Sequence, residues 1–124
     1  MAVAGALGRL GLRSQPHPPA TLHALLTIAL WPEGDRWLSE CIELGVGSFG
    51  ATPNEAYEEG VDAICSYLNT LEQLGERERV FAEKSVTTYI DKPAELHLAH
   101  VPRAIADRPE MQLRPYETPP LVFA

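Results

Sequence analysis

Cysteine is scarce in this chain: Cys41 and Cys65 are the only two among 124 residues. Neither belongs to a CxxC pair or to Cys/His metal spacing, so neither a disulfide framework nor a zinc module organises the fold. The expected state is two buried free thiols in a reducing, cytoplasmic compartment. A Cys41–Cys65 bridge is geometrically conceivable, one residue falling on a strand and the other on a helix, but no spacing argues for it. Cations are also few, with 10 Lys and Arg against 17 Asp and Glu and a net charge of −7. From Trp37 to Glu76 there is no Lys, Arg or His, while eight carboxylates appear: Glu40, Glu43, Glu55, Glu58, Glu59, Asp62, Glu72 and Glu76. That balance excludes general phosphate-backbone binding, which needs clustered Lys and Arg. It favours steering toward a basic partner. No apolar stretch is long and unbroken enough to span a bilayer.

With 45% hydrophobic residues, a chain of this length makes one ordinary domain with a real core. Three segments are expected. Residues 1–20 carry Arg9, Arg13, no acid, and the run Pro16, Pro18 and Pro19. They superficially resemble a transit peptide but read as a disordered tail. Residues 21–92 carry the domain. Residues 93–124 form an extension that from Pro102 onward holds Pro102, Pro109, Pro115, Pro119 and Pro120. That density prevents a long helix and leaves an extended, edge-pairing or disordered extension.

Thr21 to Leu30 is a continuous apolar run whose length suits a buried strand, although periodicity does not distinguish it from a helix. Pro32-Glu33-Gly34-Asp35 is turn chemistry. Arg36 to Ile42 reads as a second strand, with Trp37, Ser39 and Cys41 on one side and Leu38, Glu40 and Ile42 on the other. The segment from Gly45 to Gly50 supplies a bend and a short third strand, giving an antiparallel meander. The helix signal is the sharpest. Thr52 fits the N-cap, Pro53 the first turn and Glu55 the reciprocal position of a capping box. Tyr57, Val61, Ile64, Leu68 and Leu71 then form one apolar stripe, with Ala56, Gly60 and Cys65 beside it. Gly75 is the stop. Gly60 in mid-helix costs about 1 kcal/mol against Ala, so a close approach to a strand is expected there, with Ser39 as the neighbour. Ser85 to Ile90 is β-prone and reads as a fourth strand. The fold class is therefore α+β, a three- to four-stranded antiparallel sheet with one long helix packed on one face.

The segment from Leu25 to Gly75 resembles the HicB-like antitoxin family. The resemblance is carried by Trp37-Leu38-Ser39-Glu40-Cys41, by Glu43-Leu44, and by Ser48-Phe49-Gly50-Ala51-Thr52-Pro53-Asn54-Glu55-Ala56. The spacing of Ala63, Ile64, Tyr67 and Leu68 fits as well. It implies a partial RNase H-like fold and neutralisation of HicA, a small basic mRNA interferase. It also implies a homodimer or higher oligomer. Many members add a C-terminal DNA-binding segment. Here Arg103, Arg108 and Arg114 are scattered among prolines, so no direct nucleic-acid binding by this chain alone is expected. A solitary module of the same kind, binding another protein or a small ligand without a toxin, is the alternative.

Catalysis is not expected. An RNase H-like nuclease places carboxylates on its sheet to hold paired metals, and the first strand here carries none over Thr21–Leu30. His97 and His100 would share a face on a helix but point apart on a strand. No metal and no cofactor is therefore assigned. The partner-binding residues proposed from sequence are Glu55, Glu58, Glu59 and Asp62, acids on the exposed side of the helix. The same positions serve equally as a solvated helix face, and Glu55 also serves the cap.

Overall fold

β1 (Thr21–Glu33) is the strand on which the rest of the sheet is assembled. The computed structural model describes residues 21–90 and 107–122. Beside β1 lies β2 (Arg36–Cys41), and beyond it β3 (Gly47–Gly50). The helices α1 (Pro53–Leu74) and α2 (Arg77–Glu83) follow. β4 (Thr87–Tyr89), β5 (Gln112–Glu117) and β6 (Leu121–Val122) then all return to β1. Every pairing is antiparallel. Ile28 pairs with both Cys41 and Arg114, so β2 and β5 flank β1 on opposite edges. Leu25 pairs with both Thr87 and Glu117, which places β4 on the β2 edge.

The molecule is thus α+β, with an antiparallel sheet and one long helix on it. The sheet is larger than the expected three to four strands, because residues 112–122 contribute two more. β1 also runs to Glu33, past the expected end at Leu30. Pro32 is tolerated because of strand alternation. The Ile42 N–H donates to the Thr27 carbonyl, so the odd-numbered residues of β1 bond toward β2 and Pro32 points its nitrogen the other way. On that side the pairing with β5 has already ended at Leu30. The turn shrinks to Gly34 and Asp35, with Gly34 at φ 66° as a two-residue hairpin requires.

Alternation on β1 divides two apolar layers. Ala24, Leu26, Ile28 and Leu30 meet Ala56, Ile64, Leu68 and Leu71 of α1, together with Cys41, Val80 and Phe81. Ala29 and Trp31 face the other way and pack with Leu38, Ile42, Met111 and Leu113. The expected sidedness of β2 is therefore what forms, with Cys41 and Trp37 under the helix.

α1 begins and ends where its signals stand. Thr52 Oγ1 accepts the Glu55 N–H at 3.1 Å, and the Glu55 carboxylate accepts the Ala51 N–H at 2.7 Å. Gly75, at φ 69°, donates to the Glu72 carbonyl while Glu76 donates to Leu71, a Schellman stop. Ile64, Leu68 and Leu71 are buried, whereas Tyr57 and Val61 are half-buried. Cys65 is exposed, which corrects the expectation of two buried thiols. It lies at the rim of the stripe, where its sulfur meets the Tyr116 hydroxyl at 3.6 Å. α2 was not expected. It is a single short helix without a side-chain cap bond, and it inserts Val80 and Phe81 into the core. The assignments made for residues 1–20, His97, His100 and Arg103 lie outside the described residues.

Candidate partner-binding surface

Steps of three and four residues align Glu55, Glu58, Glu59 and Asp62 along one ridge of α1. All four are exposed. Glu55 is engaged by the cap. Glu58, Glu59 and Asp62 form no ion pair among the described residues. The described ion pairs lie elsewhere, at the junction of the helices: Arg77 with Glu72, and Arg79 with Glu76 and Glu83. The helix therefore presents a ridge of negative charge, of which Glu55 stands in the first turn, where the macrodipole favours acids.

Two sheet edges border this ridge, and they differ. Along β5 the backbone groups of Pro115 point away from β1, because the neighbouring pairs, including Thr118 N–H to the Ala24 carbonyl, are the bonded ones. Pro115 has no N–H to offer, and its carbonyl accepts the Tyr57 hydroxyl of α1 at 3.2 Å. The Arg114 guanidinium lies over the Tyr57 ring at 5.5 Å and donates to Asn54 at 2.8 Å. Burial raises the Tyr57 hydroxyl pKa while the Arg114 charge opposes the rise. α1 thus caps this edge at Pro115.

Along β3 nothing comparable occurs. The Cys41 N–H donates to the Val46 carbonyl at 2.7 Å. By alternation Ser48 and Gly50 bond toward β2, and the N–H and C=O of Gly47 and Phe49 point outward. The edge has no proline and no charged side chain of its own. Phe49 is 54% exposed and lies under the Arg36 guanidinium, 4.6 Å from the ring centroid. An open groove of about 490 Å³ runs between this edge and the first turns of α1, lined by Asp35, Arg36, Phe49, Glu55 and Glu59 among others. Gly50 lets the helix close on the edge, since a Cβ there would come within 2.6 Å of the Ala56 nitrogen.

Other chemistry-bearing groups among the described residues make internal contacts. The Glu43 carboxylate accepts the Thr27 N–H at 2.9 Å and the Thr27 hydroxyl at 3.0 Å, with the Cys41 sulfur at 3.7 Å. Burial pushes the Cys41 thiol up to about 12. His23 donates through Nδ1 to the Thr118 carbonyl at 3.0 Å and stacks on Tyr89, whose hydroxyl binds Glu117. Burial, reinforced by the Cys65 thiol, raises the Tyr116 hydroxyl well above its ordinary range. Among the described residues no group of three or more His, Cys, Asp or Glu is arranged to hold a metal ion. No described helix is long and apolar enough to cross a membrane.

The four acids named from sequence are thus brought together on one ridge. The groove beside them was not foreseen, although the uncharged Gly47-Ser48-Phe49-Gly50 strand was visible as its signal. Fold and surface together define an acidic α+β protein with a charged helix ridge next to an open sheet edge. No family model, no curated protein and no solved structure matches the chain.

Proposed function

We propose that this chain is a protein-binding inhibitor, an antitoxin of the HicB kind, that neutralises a small basic HicA-like mRNA interferase in the cytoplasm. The observation that supports this most is the ridge of Glu55, Glu58, Glu59 and Asp62, exposed and, at the last three, without an ion pair among the described residues. Such a field raises the association rate with a basic protein. It also competes with RNA for the same positive surface. Inhibition is then steric and electrostatic, and the chain performs no chemistry. The chain itself binds neither nucleic acid nor membrane. Two unpaired thiols, Cys41 and Cys65, accord with a reducing compartment. Self-association belongs to the same reading, through the β4 edge where Ile90 is 57% exposed.

The test is a quadruple change of Glu55, Glu58, Glu59 and Asp62 to Gln. A circular-dichroism control is needed because Glu55 also caps α1. A partner captured from the native host should be a small basic protein with ribonuclease activity. Its association with the folded variant should be slower, and the salt dependence should flatten. An unchanged rate at low and high salt refutes the acidic-ridge mechanism. If no such partner is recovered, the reading as a solitary module takes its place.

A further inference from the structure

We infer that the β3 edge is a strand-docking site, and that its occupant is an extended basic segment of a partner protein that pairs with Gly47 and Phe49 while its cations lie against Asp35, Glu55 and Glu59. The inference rests on the reading of this chain as a protein-binding module, but not on the identity of the partner.

Three observations carry it. The first is the contrast between the edges. β5 carries Pro115, whose carbonyl is taken by the Tyr57 hydroxyl, whereas β3, though short, directs the N–H and C=O of Gly47 and Phe49 outward with no proline and no charged side chain of its own. The second is room. The groove of about 490 Å³ lies beside that edge at Ser48, Phe49 and Gly50. The third is charge. Asp35, Glu55 and Glu59 line the groove against the single cation Arg36, and Arg36 is held over Phe49.

The same charges decide the occupant. A second copy pairing edge to edge about a two-fold axis would bring its own Asp35, Glu55 and Glu59 to this groove, and like charges across a strand pair repel. A strand with alternating Lys or Arg does not meet that repulsion. Its backbone completes the ladder, and its cations meet the three carboxylates, as in other strand-addition complexes.

The experiment uses the full chain and a short synthetic peptide of alternating Lys and Val. Two further probes are an alternating Glu and Val peptide and the Lys-Val peptide N-methylated at every second residue. The Lys-Val peptide should bind and shift the amide resonances of Gly47 to Gly50. The Glu-Val peptide should not bind. N-methylation keeps the charge but removes the ladder, and should weaken binding about tenfold, the scale of one or two hydrogen bonds. Phe49→Pro removes the outward donor without touching the bonds to β2 and should weaken binding similarly. Phe49→Ala keeps the donor and should weaken it less. Equal binding of the methylated peptide, or shifts confined to α1, would show that charge acts without strand pairing and would overturn the inference. Loss of all Lys-Val binding with the wild-type chain would overturn it too. Failure to find a toxic ribonuclease would leave these peptide results standing.

Discussion

Gly60 of α1 lies directly against Ser39 of β2: a Cβ on Gly60 would sit 2.9 Å from Ser39 Oγ and 3.3 Å from Ser39 Cβ. Ser39 is buried, and its hydroxyl has no hydrogen-bond partner among the described residues. Gly60→Ala has to turn the Ser39 hydroxyl aside and crowd Ser39 Cβ, a strain set against the gain in helix propensity of about 1 kcal/mol. The expected outcome in urea unfolding is a net loss. Ser39→Ala should be neutral or stabilising, because it removes an unpaired buried hydroxyl. In the Ser39→Ala background the loss from Gly60→Ala should shrink. Equal losses in both backgrounds would show that the contact is not what keeps the glycine.

Ile64 is fully buried between α1 and β1. Ile64→Ala is expected to cost about 2–5 kcal/mol, from lost transfer energy plus the cavity left behind. A loss below about 0.5 kcal/mol, the scale of surface substitutions, would contradict the packing.

The two thiols should behave oppositely. Cys65 is exposed and should react with a thiol reagent in the native protein, while Cys41 should react only on unfolding. The Cys41 thiol keeps its proton in the fold up to about pH 12, whereas its ordinary pKa is 9.0. Its contribution to stability is thus complete below pH 9 and declines as pH rises from there toward 12, since the unfolded chain releases the proton first. Cys41→Ser should alter that alkaline slope. A slope unchanged in the variant would assign it to other groups, the tyrosines foremost.

Self-association is expected at micromolar concentration, with light scattering reporting a dimer or larger. Ile90→Lys, at an exposed apolar position beyond β4, should shift the population toward monomer. A wild-type chain that scatters only as a monomer removes this part of the proposal.

Tyr57→Phe deletes the hydrogen bond to the Pro115 carbonyl, and should cost about 0.5–1.5 kcal/mol. Amide exchange should quicken in β5 more than in β2, because only β5 is held to α1 by that hydroxyl. Uniform quickening would mean that the bond does not secure the edge.

What was legible in the sequence was local. Thr52, Pro53, Glu55 and Gly75 act within one or two turns of themselves, so their pattern fixed the span of α1. The glycine opposite a serine was legible because only a close approach explains a glycine in a good helix. Edge pairing was among the expectations for residues 93–124, but the choice of β1 as partner of β5 was not legible, since proline-dense sequence has no periodicity and its partner lies far away in the chain. α2 was hidden because seven residues hold too little periodicity to register. Cys65 sits beside the apolar stripe, where a small angular difference decides between core and solvent. The acids of α1 could be placed on one ridge from spacing, but their relation to the β3 groove needed the sheet.

β1 is hydrogen-bonded to strands from both ends of the described chain, and Ala24 meets Thr118 across 94 positions of sequence. A ribosome emits these segments in order. While the strands from β1 to β4 are already available, the β5 side of β1 has no partner to pair with. Its inward apolar residues, Leu26, Ile28 and Leu30, can be covered by α1, but its outward backbone groups stay open until residues 112–118 have left the exit tunnel. Sheets closed by such late, distant segments fold slowly and expose an unpaired edge in the interval. Nascent chains of this protein are consequently vulnerable to aggregation and to capture by chaperones until residues 112–118 have emerged, and a release of chaperone at that point is the signature to look for.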